Sequence, residues 1–308
     1  MSLVDPVGQE DECDSDTGLL AISETEDLCN ISYSRDATVT AFKEYFQFLT
    51  QMYLDPEHVV YPPDDGWPEI TTASMQGFHK TDEVVDLLRH LPDVVNDTGR
   101  EVHAAGHCEF VGWSSIAKRV HGSPEGTWDN GTQPDHWLVQ TQGVWDSIPP
   151  HVVGFVKSRH YKMFLDTKLG IISFIGGDFP PGPRVGAARP DAPYQAVRDD
   201  PIDYAPEEEY EWRSAGAAWA IGEFFAMLKY HFQQLHYLPV SDRKVEELFG
   251  EPAQSGDAWG ENLKSVQEVY RRYGWPDLEV YQKDACLKAV AAEVQERERS
   301  DPNVIFAA

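Results

Sequence analysis

Four side chains of metal-binding type fall close together, His103, His107, Cys108 and His121. On a helix His103 and His107 would share a face, as ligands of one soft metal should. The surrounding Gly106, Cys108, Val111 and Gly112 do not favour a helix. On a strand the two imidazoles also share a face, but about 13 Å apart at ~3.3 Å per residue, too far for one ion. The group therefore reads as ordinary polar or half-buried side chains, and neither metal nor cofactor is expected. A zinc-stabilised fold through the same four residues stands as an alternative. Asp166 with His160 or His151 could form an acid–base pair if a cleft brought them within hydrogen-bond reach. Asp166 also sits where a hairpin turn wants a carboxylate that bonds its own backbone, and the turn-forming role is the one expected. No catalytic residue is assigned.

The remaining candidates concern partners. Glu207, Glu208 and Glu209 form an acidic run that is either a solvated segment or a contact for a cation or basic partner. Trp67 and Trp275, each followed by proline, are either partner-facing hot spots or packing anchors of the protein itself. With Glu69, these residues make up the candidate partner-binding set. Common catalytic signatures are missing. The chain has no Gly-Lys dipeptide for a P-loop, no GxGxxG, no GxSxG elbow, no HExxH and no EF-hand loop.

The elements that must position these residues follow from periodicity. Residues 1–36 hold ten acids against one base, Arg35, with few large apolar residues, which predicts a disordered acidic tail. Asp36 is a candidate N-cap for a helix carrying Val39, Phe42, Phe46, Leu49 and Tyr53 at helical spacing, limited by Pro56. Tyr61 to Glu69 is proline-rich and extended. Thr81 opens a second helix with Val84, Leu87, Leu88 and Leu91 on its apolar face and Pro92 at its end. Strands and long loops are expected over 100–147. His151–Val156 predicts one strand. Tyr161–Leu165 and Ile171–Ile175 predict a hairpin turning at Asp166–Gly170. Such a hairpin needs partner strands, for which 100–147 is the expected supplier. Residues 176–211, with seven prolines and an acid cluster, predict a long loop, functional or disordered. Ile221, Phe224, Phe225, Leu228, Phe232 and Leu235 predict a helix over 214–237 closed by Pro239, and two more helices follow at 258–273 and 279–299.

The balance of 25 basic and 52 acidic residues gives a net charge of −27 over 308 residues. That argues against nucleic acid, whose binding runs on clustered Lys and Arg, and against an anionic membrane surface. There is no run of about eighteen apolar residues and no basic-then-apolar start, so a cytoplasmic protein is expected, with the nucleus as the other compartment. Cys13, Cys29, Cys108 and Cys286 are scattered, without a CxxC pair, and no disulfide framework is expected. The sequons at Asn30, Asn96 and Asn130 are then unused.

The ordered motifs Tyr61-Pro62-Pro63, Gly66-Trp67-Pro68-Glu69-Ile70-Thr71, Leu87-Leu88-Arg89-His90-Leu91-Pro92, Phe164-Leu165-Asp166-Thr167-Lys168-Leu169-Gly170 and Tyr273-Gly274-Trp275-Pro276 resemble an uncharacterised family of filamentous-fungal proteins over roughly 37–290. A weaker likeness is to the SMI1/KNR4 (SUKH) superfamily, through Trp67-Pro68-Glu69, a hairpin with an acidic turn and a closing helix whose phenylalanines pack on the sheet. The chain departs from that pattern in lacking Asn-Gly-Gly after the first helix. The resemblance implies a binding module. The expected architecture is one α+β domain over 37–300, an antiparallel sheet packed against several helices, with a helical extension over 241–300. The expected function is a non-enzymatic protein-binding or regulatory protein with an acidic surface, its partner a basic protein. The alternative is an enzyme with its site under the 176–211 loop.

Overall fold

A computed structural model of the chain describes residues 27–95, 101–121, 133–143, 145, 147–176, 196–248 and 258–300. Its elements run α1 (Arg35–Met52), β1 (Val59–Val60), α2 (Asp82–His90), β2 (Asp93–Val94), β3 (His103–Ala105), β4 (Cys108–Phe110), α3 (Trp113–His121), α4 (Pro134–Gln142), β5 (Val152–Gly154), β6 (Val156–Lys157), β7 (Tyr161–Asp166) and β8 (Ile171–Gly176). After these come α5 (Pro201–Tyr204), α6 (Tyr210–Ser214), β9 (Gly216–Ala220), α7 (Ile221–Gln233), β10 (Tyr237–Pro239), β11 (Val245–Glu247), α8 (Ala258–Arg272) and α9 (Lys283–Ser300). The fold is α+β, with antiparallel ladders throughout the described sheets. Among the described residues no helix is long and apolar enough to cross a membrane.

Strands β7 and β8 form the hairpin that their alternation predicts, in register from Tyr161↔Gly176 to Asp166↔Ile171. Its turn is closed by Asp166, whose Oδ1 accepts the amides of Lys168 at 2.8 Å and Leu169 at 2.9 Å. Gly170 ends the turn at φ 73°, where a Cβ would press on the Ser32–Tyr33 backbone at 2.8 Å. The partner strands are not those expected. β5 pairs with β7, and β9 pairs with β8, giving the order β5-β7-β8-β9. The strands from 100–147 instead join β6 in a separate sheet, β3-β4-β6. The single strand expected over His151–Val156 divides at Phe155. That residue donates its amide to Met163 of one sheet and accepts from Val111 beside the other. Its ring drops between Phe110 at 5.3 Å and Phe42 at 5.4 Å.

The start of the helix expected over 214–237 is strand β9. Ala217, Ala218 and Ala220 are helix formers, yet the open edge of β8 offers ladder bonds that outweigh local propensity. Gly216 permits the approach, since a Cβ there would fall 2.2 Å from the Phe174 carbonyl oxygen. Pro239 lies in β10 rather than closing α7. Over 100–147 the structure holds helices α3 and α4 as well as short strands. The start of α3 is capped from a distance, by Asp93 Oδ2 accepting the Ser114 amide at 3.0 Å, so no local cap announces it. Helix α1 is capped by Ser34, not Asp36, with the Ala37 amide on Ser34 Oγ at 3.3 Å. Of the expected tail, residues 1–26 lie outside the described part. Residues 27–34 are ordered, with Tyr33 packed on the core and the Leu28 amide on Asp199 Oδ2 at 2.8 Å.

One apolar core joins the hairpin to α7. Tyr161, Met163, Leu165, Ile172 and Phe174 face it from the sheet, and Phe224, Phe225, Leu228 and Phe232 from the helix. Phe174 and Phe224 meet at 5.9 Å between ring centres, and α1 adds Phe42 and Tyr45, at 4.6 and 5.1 Å from Phe225. The 241–300 region is helical as expected, through α8 and α9, and packs into the main core. It contains β11, and Leu263, Val266, Tyr270, Cys286 and Val290 are buried in the same core. Lys283 Nζ donates to the carbonyls of Thr50 at 2.7 Å and Leu54 at 2.8 Å, satisfying the C-terminal end of α1. Replacing Phe224 by Ala, where the ring is fully buried, is expected to lower stability by about 3–5 kcal/mol. Glu223→Ala on the exposed side of the same turn should stay within about 1 kcal/mol, and urea denaturation of the two variants checks the contrast.

Candidate functional site

Strand β7 ends in Asp166, and α6 carries Arg213 beneath it. The guanidinium donates from Nη2 to Asp166 Oδ2 at 2.7 Å and from Nε to Glu209 Oε2 at 2.7 Å. It lies 4.2 Å above the Trp212 ring and 5.6 Å from Tyr204. The side chains of Arg213 and Asp166 are 2% and 1% exposed, so no substrate reaches them. Burial opposes the charge on Arg213, but its bonds to Asp166 and Glu209 outweigh that and raise its pKa. His151 Nε2 stands 3.8 Å from Asp166 Oδ2, beyond a hydrogen bond, and His160 lies elsewhere, 5.8 Å from the His107 ring. The acid–base pairing of Asp166 with either histidine is therefore corrected: its two oxygens are held by the turn amides and by Arg213.

This buried ion cluster mounts a surface. Of the 176–211 segment, 177–195 lie outside the described residues. From 196 onward the chain is organised, with Val197 bridged to Ala218 of β9. Asp200 caps α5 by accepting the Ile202 amide at 3.0 Å, and Glu207–Glu209 form one 3-10 turn leading into α6. Between Asp199 and Glu211 the sequence has seven acids and no base. Asp203, Glu207, Glu208 and Glu211 point outward around Ile202, which is 64% exposed. Glu209 does not belong to the outward set: one helical turn before Arg213, it is turned inward and is 5% exposed. A long flexible loop is thus replaced, over its described part, by a fixed acidic ridge. Sequence pattern alone misses this, because only the fold shows that Arg213 is buried.

The other partner candidates are structural. Trp67 is buried, its indole N–H donating to the Leu91 carbonyl at 2.8 Å. Gly66, at φ 78°, lets the strap Tyr61–Glu69 lie against Arg89 at the end of α2. Glu69 pairs with Lys118 of α3 at 2.8 Å. Trp275 is 3% exposed, donates to the Phe232 carbonyl at 2.9 Å and packs on Phe48 and Tyr281. Neither indole faces outward, so neither serves as a partner-facing hot spot.

The histidines meet by a route that the sequence does not reveal. The β3–β4 turn, with His107 at φ 50°, folds His103 and His107 to 6.2 Å between ring centres. His103 Nδ1 faces the Val245 backbone, while the Cys108 thiol is fully enclosed and its pKa is pushed up by burial. His121 closes α3. Among the described residues no group of three or more His, Cys, Asp or Glu is arranged to hold a metal. Cys108 is enclosed in the core beside these rings, and the side chain of His121 lies outside the described part.

Nearby, β11 places Glu247 against the same turn. Its Oε2 accepts from the Tyr161 hydroxyl at 2.6 Å, and Gly106 leaves the room its other oxygen occupies, 2.2 Å from where a Cβ would stand. Burial pushes the Glu247 carboxyl from 4.5 up to about 7, the Tyr161 bond working against it and Glu246 adding to it. Asp93, beneath α3, is likewise pushed by burial from 3.8 up to about 6.

Comparison with known proteins gives no match, whether to family models, to curated proteins or to solved structures.

Two outcomes follow for stability. Arg213→Met leaves the Asp166 and Glu209 carboxylates buried without a counter-charge and should cost about 3–5 kcal/mol, read from the urea midpoint. A carboxyl held at about 7 when folded and near 4.5 when unfolded binds its proton more tightly in the folded state. Its stabilising contribution is full below pH 4.5 and is lost as pH rises through about 7. Glu247→Gln should flatten that decline, gaining on the order of 2–3 kcal/mol relative to the parent between acid and mildly alkaline pH. Denaturation midpoints across that range check it, and parallel curves for both proteins would count against the assignment.

Proposed function

We propose that the protein is a non-enzymatic binding or regulatory protein whose partner is a basic protein, and that the ridge over α5 and α6 is the contact surface. The observation that carries this reading is the ridge itself: outward carboxylates on Asp203, Glu207, Glu208 and Glu211 around exposed Ile202, on a base fixed from below by Arg213. A surface already held in one conformation loses little freedom on binding, and its charge steers a cationic partner toward it. The net charge of −27 favours the same class of partner over nucleic acid or an anionic membrane. The resemblance to the SUKH superfamily, a group of binding modules, supports the reading, and the cytoplasm is the compartment it suits. The enzyme alternative gains nothing from the ionisable groups beneath the described part of 176–211. Asp166 and Glu209 are each bound to Arg213 and closed to solvent, and His151 stands 3.8 Å from Asp166 Oδ2 without a hydrogen bond to it.

Capture on immobilised protein from a filamentous-fungal extract tests the proposal. A basic protein should be retained at about 50 mM salt and largely released at about 500 mM. The combined variant Glu207→Lys, Glu208→Lys and Glu211→Lys should lose it at the lower salt while keeping the parent's melting temperature. Retention that ignores both salt and the charge reversal sinks the proposal.

A further inference from the structure

Lys80 holds its amine where the fold gives a charge no support. The residue directly precedes Thr81, the N-cap of α2, and its side chain reaches the start of β5, the edge strand of its sheet. There Nζ donates to the Val152 carbonyl at 2.8 Å. Lys80 is half-buried, and among the described residues no carboxylate pairs with it, although the chain carries 52 acids. Two other lysines that donate to main-chain carbonyls are better provided. Lys162 bonds both Gln140 at 2.8 Å and Ser158 at 3.1 Å. Lys283 bonds Thr50 and Leu54, and the charges of Asp55, Asp284 and Asp242 favour its protonated form. An ammonium has three N–H donors, and the one on Lys80 finds a single acceptor.

A lone carbonyl needs a hydrogen-bond donor, not a cation. The neutral amine therefore serves Val152 as well as the ammonium does, without burying an unpaired charge. Burial accordingly brings the Lys80 ammonium down from 10.5 to about 8. At about pH 7.5 roughly a quarter of it is neutral, against about 0.1% of an ordinary lysine, and the neutral amine is the nucleophile. Partial exposure leaves the amine within reach of a reagent from solvent. The same geometry selects among covalent products. Methylation keeps the positive charge. An imine has either a charge or no N–H for Val152. A carbamate brings a negative charge that nothing balances. An amide removes the charge and keeps one N–H for the carbonyl. We propose that Lys80 is an acylation site, its Nζ taking an acyl group from a thioester donor. The nitrogen lone pair attacks the thioester carbonyl carbon, the C–N bond forms and the C–S bond breaks. The thiolate departs with the bonding pair and takes up, by way of water, the proton that nitrogen sheds. The acylated protein is the more stable form at neutral pH, because the buried charge is gone and the bond to Val152 remains.

Two measurements test the site. The folded protein is incubated with acetyl-coenzyme A and read by peptide mass spectrometry. Lys80 should be acetylated about tenfold faster than exposed Lys43 and Lys168, and the advantage should vanish in urea, where burial ends. Separately, Lys80→acetyl-lysine, installed during synthesis, should melt above the parent at about pH 7, while Lys43→acetyl-lysine should match the parent. An amine at about 8 when folded and 10.5 when unfolded makes the parent gain stability as pH rises between those values. The gap in melting temperature should therefore be full below about pH 8 and close toward about pH 10.5. Acetylation of Lys80 in the folded protein no faster than that of Lys43 overturns the proposal. So does an acetyl-lysine form at position 80 that melts below the parent at neutral pH, or a gap that does not change with pH.

Discussion

The guanidinium of Arg213 holds two parts of the molecule that sequence keeps apart. Asp166 belongs to a hairpin turn, and Glu209 belongs to the segment that returns to the sheet after 177–195. One cation accepts the charge of both. The cluster carries one more negative than positive charge out of water, a desolvation cost that its short charge-assisted bonds offset. Its gain is geometric. Asp166 bonds the turn with one oxygen and Arg213 with the other, so turn and ridge cannot shift independently.

That constraint also explains why the sheet is covered on both faces. One face meets the large core shared with α1 and α7. The other carries Val152, Phe164 and Ile175 and needs its own cover, which Trp212 supplies, with Phe164 and Trp212 at 5.4 Å between ring centres. Trp212 is the residue before Arg213, so the ion cluster and the second apolar cluster are one device: the ring buries the outer face while the guanidinium fixes its position. Strand β9 follows directly and pairs with β8, and α7 then turns back over the inner face. Phe155 performs a comparable service between the sheets, its backbone bonded to each side and its ring in the shared core.

The ridge carries its exposed carboxylates where they cost little, because water solvates them. Buried titratable groups away from the ridge, Glu247 above all, tie the stability of the β3–β4 and β10–β11 hairpins to pH. The protein thus uses its polar residues in two ways, as buried struts and as surface.

How much of this was legible depends on the range of the interaction. The β7–β8 hairpin, α2, α8 and the interior-facing stripes of α1 and α7 follow from the sequence, because alternation, 3.6-residue spacing, turn chemistry at Asp166 and a cap at Thr81 act over a few residues. The turn-forming role of Asp166 was legible for the same reason, whereas Trp67 and Trp275, offered as partner-facing candidates, find their carbonyl partners on Leu91 and Phe232 only through the fold. The identity of β9 was not, since four small residues and Trp219 became a strand only when β8 offered an unpaired edge. Nor was α3, whose cap comes from Asp93, nor the inward turn of Glu209, nor the meeting of His103 with His107 across a left-handed turn. Sequence by itself determined which segments are helix or strand wherever neighbours along the chain decide the matter. Tertiary structure alone decided which further strands join the β7–β8 hairpin and which acids are buried, because those outcomes depend on desolvation and contact between residues that only folding brings together.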